Sequence, residues 1–269
     1  MPLVGFGTYK VTDKTEGKAS LLHAIKVGYR LIDTAQVYEN EKLVGEAIRE
    51  SGIPREEFFI TTKLHFKAFD NPIPKLEQSF KDLGVDYIDL VLLHWPYSNY
   101  FHAWKVLEDY YKQGKIKAIG VSNFDPGRLI DFLNNVEIKP FINQIEVNIY
   151  SQRKEELDWY KKYDIPVEAY SPLGHGSLPE LVEESILKKI AKAHNKTAAQ
   201  VALRFIVQKG IPIIPKSSHS ERIEQNFDIL DFSLTEEEIK KIEKLDRKQP
   251  VVGHSEDPNT VEKLYARND

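Results

Sequence analysis

Residues 30–48 read RLIDTAQVYENEKLVGEAI and contain a short strand, a turn and a helix. Leu31 and Ile32 are apolar and suit a buried strand, whereas Asp33 stands where that strand should end. Tyr38 follows in the turn, and from Glu41 onward the apolar residues recur at helical spacing. A strand followed directly by a helix is the repeating unit of α/β proteins with a parallel sheet.

The same unit recurs along the whole chain. Short apolar runs predict eight strands, at 4–9, 31–33, 58–63, 88–94, 117–122, 141–147, 167–170 and 211–215. Amphipathic segments predict helices at 17–27, 41–51, 73–83, 101–113, 126–134, 154–163, 186–194, 198–208 and 220–227. The charged run TEEEIKKIEKLDRK predicts a further, solvated helix, and two Thr-x-x-Gln/Glu patterns predict capping boxes at Thr197 and Thr235.

Eight strand–helix units in one domain of roughly 250 residues are typical of the (β/α)8 barrel, or TIM barrel. The competing architecture, a doubly wound sheet, requires a glycine-rich turn after its first strand. The sequence GFGTY at 5–9 lacks the third glycine of that motif and places its glycines inside the predicted strand. We therefore predict a (β/α)8 barrel over one domain, 1–269, with glycines that allow close packing of the first strand.

The composition excludes several classes of protein. The chain is 41% hydrophobic and 29% charged with a net charge of −4, which argues against a nucleic-acid or anionic-membrane binder. It has no cysteine, so disulfides, thiolate nucleophiles and cysteine-based zinc sites are excluded. We see no signal peptide, no membrane-spanning run and no histidine spacing typical of a metal site, and we predict a cytoplasmic monomer without a metal.

Polar residues stand where the predicted strands end. In a barrel these ends meet at one mouth, where catalytic groups from several strands converge. Taken singly, Asp33 is explained as a turn cap, Lys63 as a snorkelling lysine and His94 as a structural histidine. Taken together they predict a site, to which the remaining strand ends contribute Ser122, Asn123, Asn143, Gln144, Tyr170, Ser171, Lys216 and Ser217.

The acid, lysine, histidine and tyrosine suit proton donation to a carbonyl oxygen. We expect the Lys63 ammonium to lower the pKa of Tyr38, with Asp33 keeping Lys63 charged and oriented. Tyr38 is then a general acid, and His94 donates a second hydrogen bond to the same oxygen. These residues include no nucleophile that would attack the carbonyl carbon.

The motifs GFGTYK, DTAQVYENE, TTKL, LLHWP, AIGVSNF, NQIEVN, AYSPLG and IIPKSSHSERIEQNFDI resemble, in order, those of the aldo-keto reductases. Those enzymes are NAD(P)H-dependent carbonyl reductases built on a (β/α)8 barrel, and within the family the chain resembles the prokaryotic diketogluconate and glyoxal reductase type. The resemblance implies a catalytic tetrad of Asp33, Tyr38, Lys63 and His94. It also implies that the missing reactant is a hydride from NADPH.

The resemblance implies cofactor contacts as well. Ser122, Asn123 and Gln144 should bond the nicotinamide carboxamide, and Tyr170 should stack on the ring. Further contacts are implied for the pyrophosphate (Ser171, Leu173), the 2′-phosphate (Lys216, Ser217, Arg222) and the adenine (Asn226). Tyr9 and Trp95 are the expected walls of the substrate pocket, and the tail from residue 249 is the expected third substrate loop.

Two departures and two alternatives accompany this prediction. The chain begins directly with the first strand, where the family has a hairpin that plugs the barrel, and Gln225 stands where an adenine-contacting glutamate is common. One alternative is a cofactor-binding regulatory subunit of the same fold with little turnover. The other is a Schiff-base aldolase that uses Lys63.

Overall fold

Seven parallel strands follow one another around a nearly closed barrel in the computed structural model, which describes residues 1–266. Each strand pairs with the next along the chain, so the order in the sheet is the order in the sequence. Helices lie between the strands, as expected for a (β/α)8-type TIM barrel. The strands are β1 (Gly5–Gly7), β2 (Leu31–Asp33), β3 (Phe59–Leu64), β4 (Ile88–Leu93), β5 (Ile116–Ser122), β6 (Asn143–Glu146) and β7 (Val167–Tyr170).

The eighth predicted strand, at 211–215, is reduced to isolated bridges. Ile213 bridges in parallel to Val4 on one side and to Ala169 on the other, and so joins the first strand to the seventh. Pro212 and Pro215 have no backbone N–H, so the segment cannot form a continuous ladder. The predicted extent of this strand was wrong, whereas its place between the first and seventh strands is confirmed.

Two glycines allow neighbouring residues to pack closely against β1. A Cβ on Gly7 would lie 2.6 Å from the carbonyl oxygen of Ile214, and one on Gly5 would lie 2.5 Å from the Leu31 side chain. The two glycines therefore permit the close approach that brings the ends of the barrel together. This confirms the structural interpretation of the GFGTY motif over the nucleotide-binding one.

The helices agree with the predicted periodicity in all but two cases. Thr197 and Thr235 form the predicted capping boxes with Gln200 and Glu238. The short α7 and the C-terminal α12 were not predicted. The helices are α1 (Glu16–Val27), α2 (Glu41–Glu50), α3 (Pro72–Leu83), α4 (Tyr100–Lys112), α5 (Pro126–Leu133), α6 (Lys154–Lys162), α7 (Leu178–Leu181), α8 (Ser185–His194), α9 (Ala198–Val207), α10 (Ser220–Phe227), α11 (Glu236–Glu243) and α12 (Pro258–Ala266).

The register of the strands separates an apolar end of the barrel interior from a polar one. Lys63 pairs with Leu92, and Gln144 pairs with Glu168, so the members of each pair point to the same side of the sheet. Leu90, Leu92 and Ile142 form a small buried apolar cluster below the polar residues. Because all strands run in parallel, the polar residues lie together at their C-terminal ends. None of the helices within residues 1–266 is long and apolar enough to cross a membrane.

Candidate active site

A cavity of about 720 Å³ opens at the C-terminal ends of the strands. Its walls come from most of the strand ends and from the C-terminal segment. This is where the (β/α)8 architecture places active sites. Twelve of the residues predicted from the sequence line it: Tyr9, Asp33, Tyr38, His94, Trp95, Ser122, Asn123, Gln144, Tyr170, Ser171, Leu173 and Lys216.

Five predicted site residues do not form part of the cavity wall: Lys63, Asn143, Ser217, Arg222 and Asn226. Lys63 is buried directly behind it, at 1% exposure. Ser217 and Asn226 are buried elsewhere, and Arg222 is exposed on the first turn of α10. Lys216 lines both the main cavity and a small hollow beside the start of α1. All of the cofactor contacts expected from the sequence, including those of Ser217, Arg222 and Asn226, stay predictions.

Asp33 and Lys63 form a buried ion pair at the base of the cavity. The Lys63 ammonium donates to Asp33 Oδ1 at 2.5 Å and to the backbone oxygen of Thr34 at 2.9 Å. Burial raises the pKa of Asp33, and the charge of Lys63 acts in the opposite direction. Each charge of the pair thus offsets the cost of burying the other, in surroundings that would disfavour either charge alone.

Tyr38 lies above this pair, in a short 3-10 turn (Gln36–Tyr38) between β2 and α2. Asn40 anchors the turn: its amide nitrogen donates to the backbone oxygens of Thr8 and Val11, and its oxygen accepts from Thr34 Oγ1. These bonds connect the turn to the first strand end and its loop. They hold Tyr38 in the cavity wall.

The expected lowering of the Tyr38 pKa by Lys63 was wrong for the protein on its own. The Nζ atom of Lys63 lies 5.1 Å from the centroid of the Tyr38 ring, and its hydrogen bonds go to Asp33 and Thr34 instead. Burial raises the pKa of Tyr38 well above its usual value, and the negative charge of Asp33 adds to that rise. Tyr38 therefore holds its proton throughout the neutral range.

His94 stands opposite Tyr38, with ring centroids 5.9 Å apart. Burial lowers the pKa of His94 well below its usual value, and the charge of Lys63 acts in the same direction. Its Nδ1 atom is buried and has no hydrogen-bond partner within residues 1–266. Because an unpaired buried N–H is rarer than an unpaired acceptor, we assign the proton of the neutral ring to Nε2.

Hydrogen bonds of Asn123, which directly follows β5, support His94 and Tyr170. Asn123 has a left-handed backbone (φ 61°), which Asn tolerates better than most residues. Its amide nitrogen donates to the backbone oxygen of His94 at 3.1 Å and to Ser122 Oγ at 3.0 Å, and its oxygen accepts from the Tyr170 hydroxyl at 2.8 Å. Asn123 thus positions two neighbouring groups of the wall.

Glu168 is a buried acid in this region that was not predicted from the sequence. The Nε2 atom of Gln144 donates to Asp33 Oδ2 at 2.8 Å and to Glu168 Oε2 at 2.6 Å. Burial, together with the charge of Asp33, raises the pKa of Glu168 to about 7. Glu168 lies two residues before Tyr170 on the same strand, so the two-residue period of a strand would have indicated that both face inward.

The C-terminal segment closes one side of the cavity, as expected for the tail. Val251 and Val252 line it, and their backbone N–H groups donate to the buried Glu146 carboxylate at 3.0 and 2.8 Å. Lys263 of α12 lines it as well. Residues 267–269 of that predicted loop lie outside the described part of the chain. Lining residues that the sequence did not indicate include Lys10, His65 and His175.

Within residues 1–266, no group of three or more His, Asp or Glu side chains is arranged to hold a metal ion. The side chains of the cavity wall offer groups for proton transfer and hydrogen bonding. A protonated phenol, a neutral imidazole and an ammonium–carboxylate pair converge on one spot. Together they suit the stabilisation of a developing oxyanion.

Comparisons with known proteins agree on one family. The model of the Aldo/keto reductase family matches residues 3–247. The chain is 43% identical to a glyoxal reductase of Bacillus subtilis (strain 168), over 98% of this chain and 94% of that protein. It is 41% identical to a 9,11-endoperoxide prostaglandin H2 reductase of Trypanosoma cruzi (strain CL Brener), over 94% and 90%. It also superposes on the crystal structure of an aldo-keto reductase enzyme from a Medee basin deep-sea metagenome library, with a TM-score of 0.91, 39% identity and 96% of each chain covered.

Proposed function

The chain belongs to the aldo/keto reductase family, and from this premise we propose that it reduces aldehydes and ketones to alcohols with NADPH, with Tyr38 as the general acid. Membership of the family makes it an oxidoreductase of carbonyl groups. The observation that carries the proposal is the placement of Tyr38 and His94 in the cavity wall above the buried Asp33–Lys63 pair.

Proton donation is the task of Tyr38. Its raised pKa keeps the hydroxyl protonated at neutral pH, so it offers an O–H to a carbonyl oxygen in the cavity. As negative charge develops on that oxygen, the proton moves from Tyr38 Oη to it. The Lys63 ammonium lies 5.1 Å from the centroid of the Tyr38 ring, and its attraction would offset part of the cost that burial places on the phenolate.

His94 donates a hydrogen bond to the same carbonyl oxygen and stays neutral while it does so. Its lowered pKa keeps the imidazole neutral, and the Nε2–H assigned above donates a second hydrogen bond into the cavity. Donors fixed in advance in a site that excludes water stabilise a developing oxyanion strongly. Tyr38 and His94 thus share the work of proton transfer and orientation.

The residues of the cavity fit a nicotinamide cofactor. The amide of Gln144 has both N–H groups bonded to carboxylates, which leaves its oxygen to accept from a ligand. Tyr170 lines the wall with its hydroxyl held by Asn123. When bound, NADPH supplies the hydride that reaches the carbonyl carbon. The residues proposed to hold it are Ser122, Asn123, Gln144, Tyr170, Ser171, Leu173, Lys216, Ser217, Arg222 and Asn226.

The substrate is proposed to lie between Tyr9 and Trp95. Both residues line the cavity. Tyr9 is 40% exposed, and its ring centroid lies 5.1 Å from that of Tyr38. Trp95 is buried and stacks on Tyr97. Because one relative is named a glyoxal reductase, small α-oxo aldehydes are the first substrates to test. A cytoplasmic location and a monomeric state stay predictions.

Loss of absorbance at the reduced-nicotinamide band tests the proposal. We expect steady turnover with NADPH across a panel of aldehydes that begins with glyoxal, and slower turnover with NADH. Tight NADPH binding without turnover on any aldehyde would favour a regulatory subunit of the same fold. Borohydride trapping of a carbonyl compound on Lys63 without nicotinamide would favour an aldolase.

A further inference from the structure

We propose that Glu168 is a positioning residue of the nicotinamide site, which acts through Gln144. With Asp33, it turns the amide nitrogen of Gln144 to the barrel interior and the amide oxygen to the cavity. This inference rests on the proposed function, because it assigns Glu168 to the site at which the cofactor carboxamide would bind. Nothing in the resemblance between the chain and its family implies a role for this residue.

The two protons of the Gln144 amide both face acidic side chains. Nε2 donates at 2.8 Å to Asp33 and at 2.6 Å to Glu168, so both of its N–H groups are used. Asp33, which is ion-paired with Lys63, is a carboxylate, and a carboxylate only accepts hydrogen bonds. The amide oxygen therefore cannot occupy that position, and it is the remaining polar atom of a side chain that lines the cavity.

Both carboxyl groups are needed for this orientation. Asp33 can accept one of the two N–H groups, and its other oxygen is bonded to Lys63. Without Glu168, the second N–H would be buried without an acceptor, which costs free energy. The flipped orientation of the Gln144 amide would then compete with the observed one. It would present an N–H donor to the cavity instead of an acceptor oxygen.

Glu168 has no other contact that explains its place in the barrel. It is fully buried, its Oε2 accepts from Gln144, and its Oε1 has no hydrogen-bond partner within the described chain. A buried carboxyl with an unpaired oxygen is costly. Its function therefore lies in the bond to Gln144 rather than in the stability of the fold.

An amide oxygen fixed in the cavity wall selects a ligand with an N–H donor. The carboxamide of nicotinamide carries such a donor, whereas the adenosine and phosphate portions of the cofactor would lie elsewhere in the cavity. Loss of Glu168 should consequently weaken the part of binding that depends on the nicotinamide. It should leave the rest of the cofactor interactions intact.

The experiment compares two probes, NADPH and 2′-phospho-ADP-ribose, which lacks the nicotinamide. Dissociation constants are measured for both by quenching of tryptophan fluorescence. Glu168→Gln, whose amide oxygen still accepts, should bind NADPH as the wild-type protein does. We expect Glu168→Leu, which has no acceptor, to weaken NADPH binding by roughly 2- to 10-fold, the equivalent of one neutral hydrogen bond, without changing the binding of 2′-phospho-ADP-ribose. In a Gln144→Leu background the same substitution should have no further effect, because the residue it acts through is absent.

Glu108→Leu is the matched control. Glu108 is another buried carboxyl, which accepts from the backbone N–H groups of Glu137 and Ile138 at 3.0 and 2.9 Å, and it does not line the cavity. Neutralising it should leave both dissociation constants unchanged. If Glu168→Leu does not accumulate as folded protein, Glu168→Ala serves the same comparison, because alanine also accepts no hydrogen bond.

The outcomes separate this inference from the proposed function. Equal weakening of both probes, an additive effect in the Gln144→Leu background, or unchanged NADPH binding in Glu168→Leu would overturn the role of Glu168. Turnover by the wild-type protein would leave the proposed function standing in each of those cases. Absence of NADPH binding and of turnover in the wild-type protein would overturn both.

Discussion

The buried Asp33–Lys63 pair predicts different results for stability and for turnover. Lys63→Met removes an ammonium that is 1% exposed and leaves Asp33, at 2% exposure, without its partner. The double variant Asp33→Asn, Lys63→Met removes both charges and keeps side chains of similar size. We expect the single variant to be the less stable of the two, and both variants to lose carbonyl reduction.

The magnitude follows from burial. Removing one partner of a buried ion pair costs about 3–5 kcal/mol, whereas replacing both partners is often close to neutral. For a chain of this size, about 2–4 °C of melting temperature corresponds to each kcal/mol. Lys63→Met should therefore melt roughly 6–20 °C below the wild-type protein, and the double variant should recover most of that difference. Part of the single-variant deficit should disappear at low pH, because the pKa of Asp33 rises further without the ammonium.

Urea unfolding at pH 7, followed by tryptophan fluorescence, measures these free energies. The surface pair of Lys241 and Glu237, 2.6 Å apart on α11, supplies a control. Lys241→Met should leave the unfolding midpoint unchanged within error, because exposed pairs contribute little. A double variant as unstable as the sum of Lys63→Met and Asp33→Asn would refute the view that the two buried charges compensate each other.

Three further predictions concern the acid, the cofactor and pH. Tyr38→Phe should lower turnover by on the order of 10²–10⁴-fold and keep NADPH binding; near-full turnover would make the tetrad assignment wrong. The double variant Lys216→Ala, Arg222→Ala should weaken NADPH binding by about 10- to 100-fold and leave NADH binding unchanged. The loss of NADPH affinity should be smaller at high salt. Equal weakening of NADPH and NADH binding would show that these residues do not hold the 2′-phosphate. Because the pKa of Glu168 rises from its ordinary 4.5 to about 7 on folding, the folded state binds an extra proton between those values. The free energy of unfolding should thus fall by up to about 3 kcal/mol as pH rises through this window, and melting temperatures of Glu168→Gln should lack that slope.

The barrel and the four proposed catalytic residues could be predicted from the sequence because both depend on local patterns. The alternation of apolar strands and amphipathic helices is written in consecutive residues, and a parallel barrel places every strand end at one mouth. Asp33, Lys63 and His94 each stand directly at such an end, so their meeting needed no knowledge of side-chain geometry. The eighth strand was predicted too long because its apolar pattern ignores the N–H groups that Pro212 and Pro215 lack.

Only the tertiary structure decided what those residues do to one another. The contact between Gln144 and Asp33 joins residues 111 positions apart across the barrel interior, and it exists only once the sheet curves round on itself. Burial likewise decided that the pKa of Tyr38 rises in the protein alone, although its lysine neighbour suggested the opposite. The sequence indicates which charged residues converge. The distances between them and their access to water arise from packing, and pKa values and hydrogen-bond orientation depend on both.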